Sequence, residues 1–237
     1  MKTLLVENLS KSFGGVRALR SASFSVAAGE LLALIGPNGA GKSTCFNLIN
    51  GQLHPDSGNV FLEEKNVRGL PPRALCRLGV GRTFQVAAIF GSMTVRENVQ
   101  VVLRAHKFGA GTEDLLAQVG MAGQADRPCA ELAYGDRKRV ELALALASRP
   151  RLLLMDEPTA GMAAPERSSL MALVKGISKK ESIAVLFTEH DMDVVFGYAD
   201  RVIVLAEGKL IAQGSPAQVR ADPRVREVYL GTGSTDP

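Results

Sequence analysis

Tryptophan is absent, and aromatic residues make up only 5% of the chain. Most of so few rings belong in the core, so Phe13, placed just before Gly14-Gly15, is by itself a weak signal. Cysteine is scarce as well. Cys45, Cys76 and Cys129 are an odd set at spacings that match no zinc motif. That argues against a disulfide framework and for a reducing compartment. No apolar run approaches the roughly 18–20 residues that cross a bilayer, so any membrane role must pass through a partner. The opening residues meet an acid at Glu7, too early for a secretory leader. One-sided charge is lacking too: the net charge of +4 is spread along the chain. The densest basic cluster, Arg137-Lys138-Arg139, reads as a solvated helix face. Nucleic acid is therefore not an expected partner, because its binders gather Lys and Arg on one face.

The composition that remains is that of an ordinary globular protein, 46% hydrophobic and 22% charged, and 237 residues suit one domain. Residues 3–8 and 21–27 alternate apolar and polar side chains, which predicts half-buried strands on either side of a Phe13-Gly14-Gly15 turn. Leu31–Ile35, Leu152–Met155 and Ile183–Phe187 are continuously apolar, which predicts strands covered on both faces. A helix is expected from about Lys42, helix-rich sequence over 95–119, and a well-buried helix carrying Val140, Leu142, Ala143, Leu144, Leu146 and Ala147. Glu207-Gly208 between two apolar runs predicts a hairpin. Buried strands alternating with helices imply an α/β core with a mainly parallel sheet, and the antiparallel pieces at both ends add a β layer. The small polar tail beyond Gly231 is expected to be disordered.

Gly36-Pro37-Asn38-Gly39-Ala40-Gly41-Lys42-Ser43-Thr44 fits the G-x-x-x-x-G-K-[ST] phosphate loop, between a buried strand and a helix. Its glycines let backbone N–H groups converge on phosphate oxygens, and the helix N-terminus adds partial positive charge. Lys42 is placed to reach the outer phosphates of ATP, and Ser43 to ligate Mg²⁺. Asp156 and Glu157 leave the second buried strand in different directions. One can hold Mg²⁺ through water while the other addresses the attacking water. His190, after the third buried strand, is a donor that would face the γ-phosphate. Gln85 and Phe13 are weak signals taken alone, although an aromatic before a Gly-Gly turn can stack on adenine.

These pieces in this order resemble the ABC ATPase family, from Phe13 to about Gly231. The most specific element is Leu132-Ala133-Tyr134-Gly135-Asp136, ahead of a helix and of Asp156-Glu157. The resemblance implies that Ala133 and Gly135 serve ATP held by the opposite subunit. It also implies that Phe13 stacks on adenine, that Gln85 belongs to the Mg²⁺ and water loop, and that His190 meets the γ-phosphate. It implies one ABC ATPase domain over 1–231, with a core and antiparallel β subdomain in 1–84 and 150–231 and a small α-helical subdomain at about 86–149. Gly81-Arg82-Thr83-Phe84-Gln85, Met93-Thr94-Val95-Arg96-Glu97-Asn98 and Val228-Tyr229-Leu230-Gly231 look like the branched-chain amino-acid uptake branch. That branch implies transmembrane permease subunits, a second ATPase subunit and, indirectly, a periplasmic or extracellular binding protein, at the cytoplasmic face of the membrane. Urea or short-amide uptake, and a soluble ABC ATPase acting on nucleic acid, are the alternatives. Ala163 stands where the family's loop ends in Asp or Asn, and the 98–132 stretch looks shorter than in typical relatives.

Overall fold

The computed structural model describes residues 2–83, 88–106 and 111–230. The chain opens with a long antiparallel hairpin, β1 (Lys2–Phe13) and β2 (Val16–Ala27), turning at Gly14-Gly15. Both strands outrun the alternating segments that announce them. Register shifts at Val6/Leu9 and Leu9/Lys11 put the period-two pattern out of phase, so the alternation stops before the pairing does. Next come β3 (Leu31–Ile35), α1 (Lys42–Ile49), β4 (Ser57–Leu62), β5 (Lys65–Asn66), α2 (Pro72–Arg77) and β6 (Val80–Thr83). A helical stretch follows with α3 (Val95–Ala105), α4 (Thr112–Gln118) and α5 (Tyr134–Ala147). The last part holds β7 (Leu152–Asp156), α6 (Ala164–Glu181), β8 (Ala184–Thr188), α7 (Met192–Tyr198), β9 (Arg201–Ala206), β10 (Lys209–Gly214), α8 (Pro216–Ala221) and α9 (Pro223–Leu230).

Two sheets result. The antiparallel one runs β2-β1-β4-β5, and the larger one runs β10-β9-β3-β8-β7-β6, parallel except for β10. β3 lies inside the larger sheet, and its side chains alternate between two cores. Leu31, Ala33 and Ile35 join the residues of α3, α5 and α6, while Leu32 and Leu34 pack with Cys45, Phe46 and Ile49 of α1 and with the antiparallel sheet. Full burial on both faces is what an unbroken apolar run encodes. The helical stretch shares the first of these cores, with Val99 of α3, Leu116 of α4 and Val140 of α5 in it. None of the described helices is long and apolar enough to cross a membrane.

Asp200 ties the start of β3 to the end of α6, accepting from Leu31 N–H (3.0 Å) and Lys179 Nζ (2.8 Å). Burial alone would raise its pKa. The Leu31 N–H, the Lys179 hydrogen bond and the charges of Lys179 and Lys175 outweigh that and hold it below the ordinary value. A depressed folded-state pKa gives stability that is present above the unfolded pKa and is lost as pH falls through the folded one. Asp200→Asn is therefore expected to cost about 1 kcal/mol near neutral pH. Urea melts of both proteins should converge towards pH 3, and a gap that stays constant with pH would contradict the assignment.

Candidate nucleotide site

The phosphate loop starts where β3 ends and closes into α1. Gly41 has φ 103°, and a Cβ there would lie 2.3 Å from the Ala18 carbonyl oxygen of β2, so a side chain is excluded by backbone angle and by space. The first helical bond runs from Cys45 N–H to Gly41 O (2.9 Å). The Lys42, Ser43 and Thr44 amides precede it, at the positive end of the helix. Lys42 is only 8% exposed. Its ammonium donates to Gly36 O (2.6 Å) and Pro37 O (3.0 Å), bracing the loop from within. Burial lowers the Lys42 pKa, opposed by the charges of Glu157 and Asp156. Ser43, Asn38 and Gly39 are exposed.

The two acids lie at the end of β7. Thr188 Oγ1 donates to Asp156 Oδ1 (2.7 Å), and Glu157 N–H donates to Thr188 Oγ1 (3.1 Å) and Thr188 O (3.2 Å). Glu157 adopts φ 46°, a left-handed conformation that is costly for a non-glycine residue and separates its direction from that of Asp156. Its Oε1 lies 2.9 Å from His190 Nε2, so the histidine at the end of β8 meets the acid of β7. On the other side, Arg82 Nη2 of β6 lies 3.7 Å from Asp156 Oδ2. Glu189 is 4% exposed and accepts from Thr159 N–H (2.9 Å), Thr159 Oγ1 (2.5 Å) and His190 N–H (3.1 Å), pinning the loop after Glu157 to the end of β8.

Loop, acids and histidine are thus gathered at the C-terminal ends of β3, β7 and β8, which are neighbours in the sheet. Phe13 ends β1 opposite Val16, two residues before Ala18, and is 46% exposed with Lys11 Nζ 5.5 Å from its ring centre. Gln85 lies outside the described residues. Sequence reasoning passed over Thr188, Glu189, Thr159 and Arg82. Thr188 and Glu189 carried the signal of position, since they end a buried strand just as Asp156 does.

The signature stretch stands apart. Ala133 is the N-cap of α5 and offers no side-chain cap, and Ala133 and Tyr134 are exposed. Gly135 is buried, and a Cβ on it would lie 3.0 Å from Glu166 Oε1. The missing side chain lets α5 close on α6, where Glu166 Oε2 accepts Ala163 N–H (3.2 Å). Among the described residues, no hydrogen bond or ion pair joins residues 132–136 to the phosphate loop. The basic cluster needs correction. Lys138 is buried against Glu141 (3.2 Å), Arg137 donates to the Leu132 and Ala130 carbonyls, and Arg139 donates to Val119 O and Ser169 Oγ. These cations hold the start of α5 in place rather than solvate it.

Residues 19–160 match the ABC transporter family, and residues 209–235 match the branched-chain amino acid ATP-binding cassette transporters. The chain is 35% identical over 248 aligned residues to the high-affinity branched-chain amino acid transport ATP-binding protein LivG of Salmonella typhimurium, covering 96% of this chain and 97% of that one. It is 35% identical over 233 residues to the lipopolysaccharide export system ATP-binding protein LptB of Acidithiobacillus ferridurans, covering 96% of each. Among solved structures, the ADP conformation of an ATP-binding cassette of an ABC transporter superposes with a TM-score of 0.89 at 34% identity, covering 98% of this chain and 99% of that one. Likeness of this extent in sequence and in fold, around the loop and acids described above, places the chain in the ABC transporter family, as one of its ATP-binding and ATP-hydrolysing subunits.

Proposed function

We propose that the chain energises uptake of branched-chain or other apolar amino acids. It would do so at the cytoplasmic face of the membrane, beneath permease subunits fed by a binding protein outside, and paired with a second ATPase subunit. The observation that carries the substrate class is the match of residues 209–235 to the branched-chain transporters. The division into core (1–84, 150–231), helical part (about 86–149) and polar tail (232–237) belongs to the same reading.

The loop amides from Gly36, Asn38, Gly39 and Gly41 to Thr44, together with the Lys42 ammonium, hold the phosphates, and Phe13 takes the adenine face. Mg²⁺ fits the donor set. Ser43 offers an exposed hydroxyl at the mouth of the loop, a hard oxygen ligand, and Asp156 a carboxylate fixed by Thr188 that would hold the ion through water. When bound, the ion would neutralise charge on the outer phosphates. Glu157 then polarises the attacking water, and His190, now on Glu157, is within reach of the same space. Gln85 completes this set in the reading. The bare N-terminus of α5, with Ala133, Tyr134 and the Gly135 amide, serves the partner's nucleotide. Two-fold pairing accounts for its separation from the loop of its own chain.

The test is reconstitution with the co-encoded permease subunits and binding protein in proteoliposomes. ATP-driven leucine accumulation, abolished by Lys42→Ala together with nucleotide affinity, is the expected result. Accumulation of urea or an amide without leucine, or outward movement of a lipid-linked sugar, would replace the substrate assignment.

A further inference from the structure

Arg82 has no part in the mechanism above, yet it is built against the acid proposed to hold the metal. β6 pairs with β7 in parallel, with Arg82 level with Leu154, two residues before Asp156. Asp156 is held at both oxygens: Oδ1 accepts from Thr188 Oγ1 at 2.7 Å, and Oδ2 faces Arg82 Nη2 at 3.7 Å. The two side chains are 17% and 25% exposed, so their attraction is only partly screened. The other arm of the guanidinium, Nη1, donates to Gln52 Oε1 at 2.8 Å, and Gln52 N–H donates to Asn50 Oδ1 at 3.0 Å, just past the end of α1. Burial lowers the Arg82 pKa and Asp156 opposes that, but an arginine keeps its proton at any working pH. The charge beside Asp156 is therefore permanent.

A divalent cation approaching Asp156 meets this charge. Two cations a few ångströms apart in a half-buried site repel each other. Arg82 also lines a largely apolar cavity of about 340 Å³, in which Gln52 is the group it already holds. We propose that Arg82 is a positioning residue that competes with the divalent cation for Asp156. It weakens metal affinity and withdraws towards Gln52 when the metal is taken up. The proposal rests on the reading that Asp156 holds the metal.

Mn²⁺, followed by electron paramagnetic resonance at saturating ADP, reports metal binding without hydrolysis. Arg82→Gln should bind Mn²⁺ about 5–10-fold more tightly than the wild type, while Arg82→Lys, which keeps the charge, should stay within about threefold of it. Arg82→Met keeps the apolar stem and serves as the neutral variant if the glutamine form does not fold. Asp156→Asn, run in parallel, should weaken Mn²⁺ about tenfold. If Asp156→Asn weakens the metal and the neutral variants bind it no more tightly than the wild type, Arg82 does not compete and the proposal falls alone. If Asp156→Asn binds Mn²⁺ as the wild type does, the metal assignment fails and takes the Arg82 proposal with it.

Discussion

Glu157→Gln is expected to leave nucleotide binding intact and to lower the rate of hydrolysis about 10²–10³-fold. The amide has the size of the carboxylate and can still accept from His190 Nε2, which lies 2.9 Å from Oε1. The backbone bonds of residue 157 to Thr188 do not involve the side chain, so the left-handed turn survives. What is lost is the negative charge that draws a proton from the attacking water. Binding should persist because the loop, Lys42 and Ser43 are untouched. Single-turnover phosphate release from the assembled transporter measures the effect. A rate within a few-fold of the wild type would take Glu157 out of the hydrolytic role.

The parts of this site that could be read from the sequence are those where one local pattern carries one physical demand. Leu31–Ile35 is apolar throughout because β3 is covered on both faces, and the glycine-rich stretch behind it is the form that a phosphate-binding turn requires. Asp156 and Glu157 were legible for the same reason, as acids leaving a buried strand. Thr188 was not. Its bond to Asp156 spans 32 positions of sequence, and only the parallel pairing of β7 with β8 brings the two together. Arg82 and Glu189 depend on the same sheet order. The basic run 137–139 misled because charge in sequence says nothing about where a carbonyl or a carboxylate waits in the fold. Lys138 is buried with Glu141, which sits one turn along the same helix, as its counter-charge. Gly135 carries a structural demand that its motif does not announce, since a Cβ there would lie 3.0 Å from Glu166 Oε1.

That last point decides which substitution tests the shared site. Gly135→Asp would set a carboxylate against Glu166 Oε1 within one chain, so a loss of activity could arise from strain between α5 and α6. Ala133 is free of that difficulty. It is exposed, has the extended conformation of an N-cap (φ −59°, ψ 156°), and brings no side-chain acceptor to the first amides of α5. An aspartate there can accept from those amides and faces the positive end of the helix, which stabilises by about 1 kcal/mol. For a chain of this size that raises Tm by about 2–4 °C. The same carboxylate occupies the donors proposed for the partner's nucleotide and places negative charge where its phosphates would dock. Hydrolysis by the assembled transporter should therefore fall about 10²-fold or more, while ATP binding to the isolated chain is unchanged. Ala133→Ser separates the two effects, since it caps without charge: it should raise Tm and keep most of the activity. Thermal melts, nucleotide titration of the monomer and steady-state hydrolysis, run on both variants, form the test. Stability and activity should move in opposite directions for aspartate only. An aspartate variant that hydrolyses ATP as fast as the serine variant would mean that the N-terminus of α5 does not face a partner's phosphates.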